Sequence, residues 1–322
     1  MKAIRFEKTG GPEVLGYVDV ELPPPGPGQV RVKHTVIGVN FIDTYHRSGL
    51  YKLPLPSGLG SEAAGAVEAL GDGVTTLKAG DRVAYAGAFG AYAQANNVAA
   101  ERLVKIPDGI SDEVAAAAML KGMTAQYLLK RTYAVKRGET ILFHSAAGGV
   151  GLIAGQWAKH LGAAVIGTVG HADKAALARA NGYAHVLNSR DADWHAQVRA
   201  LTGGTGVPVV YDSIGKDTFA GSLDSLAMRG LLVSFGNSSG AVPAFEPGIL
   251  AAKGSLYVTR PTLVHYTRNA QELQETADDL FAVIASGTVK ITINQRFKLA
   301  DAAKAHEALH SRQTTGATVL IP

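Results

Sequence analysis

Cysteine is absent from the 322-residue chain. Disulfides, thiolate zinc sites, iron–sulfur clusters and a cysteine nucleophile are excluded with it. Charge is sparse as well: charged residues make up 18%, and 31 basic against 27 acidic side chains leave a net charge of +4. So mild a bias suits an anionic small molecule as readily as nucleic acid. The densest basic patch is Lys130, Arg131, Lys136 and Arg137, with Tyr127 and Tyr133 between them. It reads as a solvated helix end rather than an RNA-binding stripe. No apolar run reaches the length of a membrane span. The segment MKAIRFEKTGG lacks the apolar stretch of a signal peptide, so the cytoplasm is the expected location. Apolar residues (47%) and glycines (38) are plentiful instead, and the length suits two folded domains.

The first 120 or so residues read as short strands punctuated by turns. A proline-rich loop (Pro23 to Pro27) leads into the β-branched run Val30 to Val39, and 63–71 and 80–87 are further strands. Such spacing predicts a small barrel or sandwich. Residues 113–133 have helical spacing, with Gly122 near the middle. Strand and helix then alternate: strands at 139–144, 163–169, 185–188, 207–212, 231–236 and 255–260, with helices at 150–162, 172–182, 191–204 and 217–230. That rhythm predicts βαβ units and a parallel sheet with helices on both faces. Helices at 268–287 and 300–311 and a strand at 317–322 follow, and this tail is expected to return to the first domain.

Within the alternating region, ETILFH, SAAGGVG and LIAGQWAKH form strand, glycine turn and helix. That is the context of a dinucleotide fingerprint, with Ala146 where its first glycine stands. Gly148 would let a pyrophosphate approach the backbone, and Gly151 would let helix and strand pack closely. A second absence is informative. About 20 residues after the glycines, an NAD site places an acidic residue on the ribose 2′-hydroxyl; this chain has Gly170. A carboxylate there would repel a 2′-phosphate, whereas glycine leaves room for one. Lys174 and Arg190 can supply cations, so NADPH is expected over NADH.

Several stretches together carry a resemblance: VNFIDTYHRSGLY (39–51), LPSGLGSEAAGAV (55–67), GDRV (80–83), GETILFHSAAGGVGLIAGQWAK (138–159), VVYDSIG (209–215), LLVSFGNSSG (231–240) and SLYVTRP (255–261). The chain resembles the zinc-free quinone oxidoreductases, of the zeta-crystallin type, within the medium-chain dehydrogenase/reductase superfamily. The resemblance implies an α/β fold: a Rossmann-type doubly wound parallel sheet (123–259) inserted in a discontinuous GroES-like β-barrel catalytic domain (1–122 and 260–322). Where zinc-dependent relatives carry catalytic ligands, this chain has Asn40, Ser61 and about Lys121. The ten histidines are read as offering no metal-ligating pair, so an enzyme working without metal is expected.

The resemblance further implies an NADPH:quinone reductase with Asn40, Tyr45 and Tyr51 around the acceptor. Asn40 would donate to the cofactor or to a carbonyl oxygen, and the tyrosines would stack on a flat ring. Glu62 reads as structural. For the cofactor it implies Thr124 and Tyr127 near the nicotinamide half and Gly148, Gly149 and Val150 at the pyrophosphate. Gly170 and Lys174 would face the 2′-phosphate, with Ser189 and Arg190 beside it. Ser213 and the run Gly236, Asn237, Ser238 and Ser239 sit at strand C-termini, where open sheets bind ligands. Val258, Thr259 and Arg260 would line the carboxamide end, with Arg312 reaching in from the tail. Ser189 stands where family members often have tyrosine. The strand LYVTR is expected at a homodimer edge. Two alternatives stay open: reduction of activated C=C bonds in enones or alkenals, and an RNA-binding or crystallin-like role.

Overall fold

The computed structural model describes all 322 residues. In chain order, β1 (Lys2–Arg5) and β2 (Gly16–Asp19) form an antiparallel ribbon. Then come β3 (Gln29–Val39), α1 (Phe41–Ser48), β4 (Glu62–Leu70), β5 (Arg82–Ala86), β6 (Ala95–Ala99), β7 (Val104–Lys105) and α2 (Asp112–Tyr127). A π-helical turn, Leu128–Thr132, extends α2. The alternating region follows as β8 (Thr140–Phe143), α3 (Gly149–His160), β9 (Ala164–Val169), α4 (Ala175–Ala180), β10 (Tyr183–Asn188) and α5 (Trp194–Leu201). It continues through β11 (Val207–Asp212), α6 (Phe219–Asp224), β12 (Leu226–Ser234), α7 (Gly248–Ala252) and β13 (Tyr257–Thr259). The tail contributes α8 (Ala270–Ala285), β14 (Ile293–Lys298), α9 (Ala302–His310) and β15 (Ala317–Ile321).

Two compact units emerge. The first comprises residues 1–123, 266–285 and 291–322; the second comprises 124–265 and 286–290. The sequence-based boundaries lie at 122/123 and 259/260.

In the first unit a seven-stranded sheet has the order β14-β15-β3-β4-β5-β7, with β6 also pairing β3. Alternation along β3 explains its seating: Val30, Val32, His34 and Val36 are buried, while Lys33 and Thr35 are exposed. From Val36 onward the strand is buried at every position, which leaves no polar face. The core gathers Val32, Ile37, Leu59, Val67, Val83, Tyr85, Leu299 and Leu320 from strands far apart in sequence.

The second unit is built on a six-stranded sheet in the order β10-β9-β8-β11-β12-β13, with every pair parallel. The order reverses between β8 and β11, and such a switch point opens a crevice at the strand C-termini. Leu142, Ile166, Val210 and Leu232 stack along the strands against Val198 and Leu223 of the helices.

Two sequence expectations need correction. The helix expected at 217–230 ends at Asp224, because Leu226 pairs with Val207 and joins β12. Arg229 then adopts a left-handed φ of 59°, which no helix interior accommodates. The stretch VNFIDTYHRSGLY, read only for its side chains, contains α1. Asn40 caps that helix, and Gly49 ends it with a φ of 84°. Gly122 in α2 has a packing reason: a Cβ there would strike the Leu280 side chain of α8.

Candidate active site

The glycine turn is shaped by close approaches. Ser145 takes a left-handed φ of 56°, and the Gly148 N–H donates to its carbonyl at 2.9 Å. The first bond of α3 runs from the Leu152 N–H to the Gly148 carbonyl. The N–H groups of Gly149, Val150 and Gly151 therefore head the helix without intrahelical acceptors, the arrangement that receives phosphate oxygens. A Cβ on Gly151 would collide with the Ser145 carbonyl oxygen, so glycine is required there. Ala146 is tolerated in place of glycine because its Cβ faces Gly167 of β9, which has no side chain. Tyr183 of β10 lies over both Gly155 and Gly167, and its hydroxyl donates to the Gly151 carbonyl at 2.7 Å. Glycines at 151, 155 and 167 thus let helix and strands approach one another.

At the end of β9, the space beside Gly170 is open: nothing lies within 4 Å of where its Cβ would be. Lys174 closes a short 3-10 turn, and burial lowers the pKa of its ammonium, opposed by the charge of Asp173. Arg190 approaches His171 at 3.0 Å, and since guanidinium only donates, His171 Nε2 accepts. Ser189 donates to the Val169 carbonyl at 3.3 Å, tying the two strand ends together. The structure therefore collects Gly170, Lys174, Ser189 and Arg190 at adjacent strand ends and adds His171, which sequence reasoning missed.

Ser213 donates to the Ser145 hydroxyl at 3.2 Å across the ends of β11 and β8. A Cβ on Gly236 would meet the Ser213 carbonyl, so these two turns also pack without a spacer. Ser238 N–H donates to the Ser213 carbonyl, and the Ser239 hydroxyl to that of Ile214. Arg260 donates to the Ser234 carbonyl at 2.8 Å and to the Asn237 amide oxygen at 3.2 Å. Val258 and Thr259 pair with Leu232 and Val233. Thr124 and Tyr127 are buried on the last turns of α2. Arg312 is exposed after α9, in the first unit rather than the second.

In the first unit, Asn40 is buried at the head of α1, where its backbone N–H donates to Asp43 at 2.9 Å. Its amide Nδ2 donates to Glu62 Oε2 at 2.8 Å. Tyr45 and Tyr51 are half-buried and meet edge to face with centroids 5.3 Å apart. His46 packs against Tyr51 and Phe89, making one aromatic cluster.

Behind Asn40 runs a buried network absent from the sequence reading. Arg47 donates to His306 Nδ1 at 3.2 Å, so the neutral ring donates from Nε2 to the Tyr92 hydroxyl at 3.0 Å. Tyr92 donates in turn to Asp43 Oδ2 at 3.0 Å. Burial pushes the Asp43 carboxyl up to about 7, against the Asn40 N–H, the Tyr92 hydroxyl and the Lys121 charge. The same burial, with the charges of Arg47 and His310, pushes His306 down to about 3. His306 and His310 stand four apart on α9, a ligating spacing that corrects the reading of the histidines. Both ring nitrogens of His306 are nevertheless engaged, and no group of three or more His, Asp or Glu side chains is placed to hold a metal. The Asn40-x-x-Asp43 spacing at a helix start was the available signal for α1; the link from Asp43 to Tyr92 spans 49 residues and that from Tyr92 to His306 spans 214, and neither left one.

Residues 26–108 match the family model described as alcohol dehydrogenase GroES-like domain, and 149–282 that described as zinc-binding dehydrogenase. A quinone oxidoreductase of Pseudomonas aeruginosa is 58% identical over 100% of this chain and 99% of its own length. A 2-haloacrylate reductase of a Burkholderia species is 47% identical over 98% of both chains. The crystal structure of Escherichia coli quinone oxidoreductase complexed with NADPH superposes with a TM-score of 0.98 at 53% identity, covering all of both chains. With its sheet order, its glycine turn and these full-length likenesses, the chain belongs to the quinone oxidoreductases of the medium-chain dehydrogenase/reductase superfamily.

Proposed function

We propose that this protein is an NADPH-dependent quinone reductase that passes reducing equivalents from the nicotinamide directly to a quinone, without flavin or metal. The observation that carries the reading is the phosphate turn, where Gly151 admits no side chain and Gly149, Val150 and Gly151 head α3 without intrahelical acceptors for their N–H groups. The bound nicotinamide supplies the reducing equivalents. The chain's own residues bind, orient and donate. Gly148, Gly149 and Val150 receive the pyrophosphate. Gly170 leaves room for the 2′-phosphate, with Lys174 and Arg190 as its cations and Ser189 beside them. Thr124, Tyr127, Val258, Thr259 and Arg260 face the nicotinamide half, and Ser213 with Gly236 to Ser239 lines the crevice; Arg312 is assigned to the cofactor by the resemblance alone. Asn40 donates to the acceptor's oxygen, and Tyr45 and Tyr51 form the wall on which a flat ring rests.

A homodimer through β13 belongs to the same reading. This edge strand exposes Tyr257 (61%), with Met228 (81%) next to it on β12; a second copy would pair the edge and cover both. No helix of the protein is long and apolar enough to cross a membrane, in keeping with a cytoplasmic enzyme. Reduction of activated C=C bonds is the second reading, favoured by the 2-haloacrylate reductase relative.

One assay separates the two. Oxidation of NADPH is followed by its absorbance with 1,4-benzoquinone, a naphthoquinone, crotonaldehyde and 2-chloroacrylate, each with and without chelator. Quinones are expected to be reduced fastest, with no loss on chelation. Faster turnover of either alkene than of every quinone would transfer the function to the second reading.

A further inference from the structure

Lys121 interrupts an otherwise apolar helical run, AAAAMLKGM, and is buried. Its ammonium lies 2.9 Å from Glu62 Oε2, with the two side chains 6% and 0% exposed. The same oxygen accepts the Asn40 amide at 2.8 Å, and Oε1 accepts the Leu120 N–H at 2.6 Å. Three donors from two segments, the head of α1 and the middle of α2, thus converge on one buried carboxylate. Space for it comes from β3, where a Cβ on Gly38 would collide with the Glu62 carboxylate and the Ala116 carbonyl. Burying an ion pair is a poor route to stability, since desolvation offsets the attraction. Its geometry, however, decides the orientation of Asn40. An ionised carboxylate can only accept, so the amide nitrogen must turn toward it and one of its two hydrogens is committed there. The backbone of Asn40 is pinned as well, through Asp43. By the resemblance, Asn40, Ser61 and about Lys121 stand where zinc-dependent relatives carry their metal ligands. In this chain an amide, a carboxylate and an ammonium form a closed arrangement there, and the Ser61 hydroxyl is buried without a partner.

We propose that Glu62 and Lys121 are positioning residues of the reductase. Glu62 holds the Asn40 amide nitrogen-first, leaving its second N–H to meet the oxygen of the quinone. Lys121 contacts the same oxygen that accepts the Asn40 amide and holds it in place. The proposal rests on the reading of Asn40 as the donor to the acceptor.

The test compares Asn40→Ala, Lys121→Gln, Lys121→Arg and the double variant Asn40→Ala/Lys121→Gln in the full chain. It measures kcat and KM with 1,4-benzoquinone, NADPH affinity by fluorescence titration, and thermal melting. Lys121→Gln should lower kcat about tenfold or more, the scale of a misplaced oxyanion donor, with NADPH affinity unchanged. Lys121→Arg should restore most of that loss, and the double variant should be no slower than Asn40→Ala alone. A folded Lys121→Gln with parental kcat, or losses that simply add in the double variant, would overturn the positioning role while leaving Asn40 as donor. Parental kcat in Asn40→Ala would instead remove Asn40 as donor, and the positioning role with it. If Lys121→Gln loses its cooperative melt, Glu62→Leu/Lys121→Met replaces it, because that pair leaves no unpaired charge behind. The same loss of kcat is expected, and its absence overturns the proposal.

Discussion

The phosphate turn of the second unit and the carboxylate cluster of the first are built by opposite means. The turn is made of backbone. Residues 144–151 are contiguous, and few side chains shape it, among them Ala146 and the Tyr183 that spans Gly155 and Gly167. The cluster is made of side chains, with Asn40, Asp43, Arg47, Glu62, Tyr92, Lys121 and His306 converging from separate elements. A site of the first kind fails when an atom is added. A site of the second kind fails when a donor, an acceptor or a charge is taken away.

Gly151→Val tests the first half of that contrast most severely. Its Cβ would collide with the Ser145 carbonyl, and only displacement of α3 could relieve it. NADPH binding is expected to be lost, and overpacking should cost about 1–3 kcal/mol or more of stability, read by titration and thermal melting.

Asp43→Asn tests the cluster. Folded Asp43 keeps its proton up to about 7, whereas a carboxyl in the unfolded chain releases it near 3.8. Between those values the folded state binds more protons, so this contribution is present below pH 4 and lost as pH rises through 7. His34 and His306, lowered to about 4 and about 3, tilt the other way. Their contribution is full above the ordinary histidine value and fades as pH falls. The variant must therefore be read against the parent. Their stability difference should move in the variant's favour by about 4 kcal/mol between acid and neutral pH, measured by urea unfolding across that range. A pH-independent difference would count against a buried, proton-holding Asp43.

Smaller effects refine the turn. Lys174→Ala should raise KM for NADPH by about tenfold or more, the loss of one charge-assisted bond of about 1.5–3 kcal/mol, and leave KM for NADH nearly unchanged. Equal effects on both would remove Lys174 from the phosphate site. Smallest of all, Tyr183→Phe keeps the ring over the glycines and deletes only its bond to Gly151. About 1 kcal/mol of stability is expected to go, with NADPH affinity retained.

The same contrast explains what the sequence disclosed. A turn whose donors and close approaches lie within eight residues writes itself into a local pattern, and the parallel sheet behind it leaves a regular strand–helix rhythm. The six strands from β8 to β13 were legible for that reason. β12 was misjudged at its start, because Leu226 pairs across the sheet in a stretch whose own spacing favours a helix. Polar strands such as β6 and β14 passed unread: ANNVA and INQRFK carry little of the apolar alternation that marks a strand. In the cluster, only the lone charge of Lys121 in an apolar run hinted at a buried role. Nothing near Asn40 in the sequence points to Tyr92 or His306, since those bonds exist only once the sheet has closed.

The position of β15 has a consequence for the newly made chain. It lies between β14 and β3, and its residues Thr318, Val319 and Leu320 pair with Val39, Gly38 and Ile37. On the ribosome, β3 therefore emerges nearly three hundred residues before its neighbour. The dinucleotide-fold unit is almost wholly synthesised in between and can close first. Until then the apolar edge of β3 stays unpaired, the kind of strand edge that recruits the wrong chain. The strand left waiting for its last neighbour is the one that leads straight into Asn40.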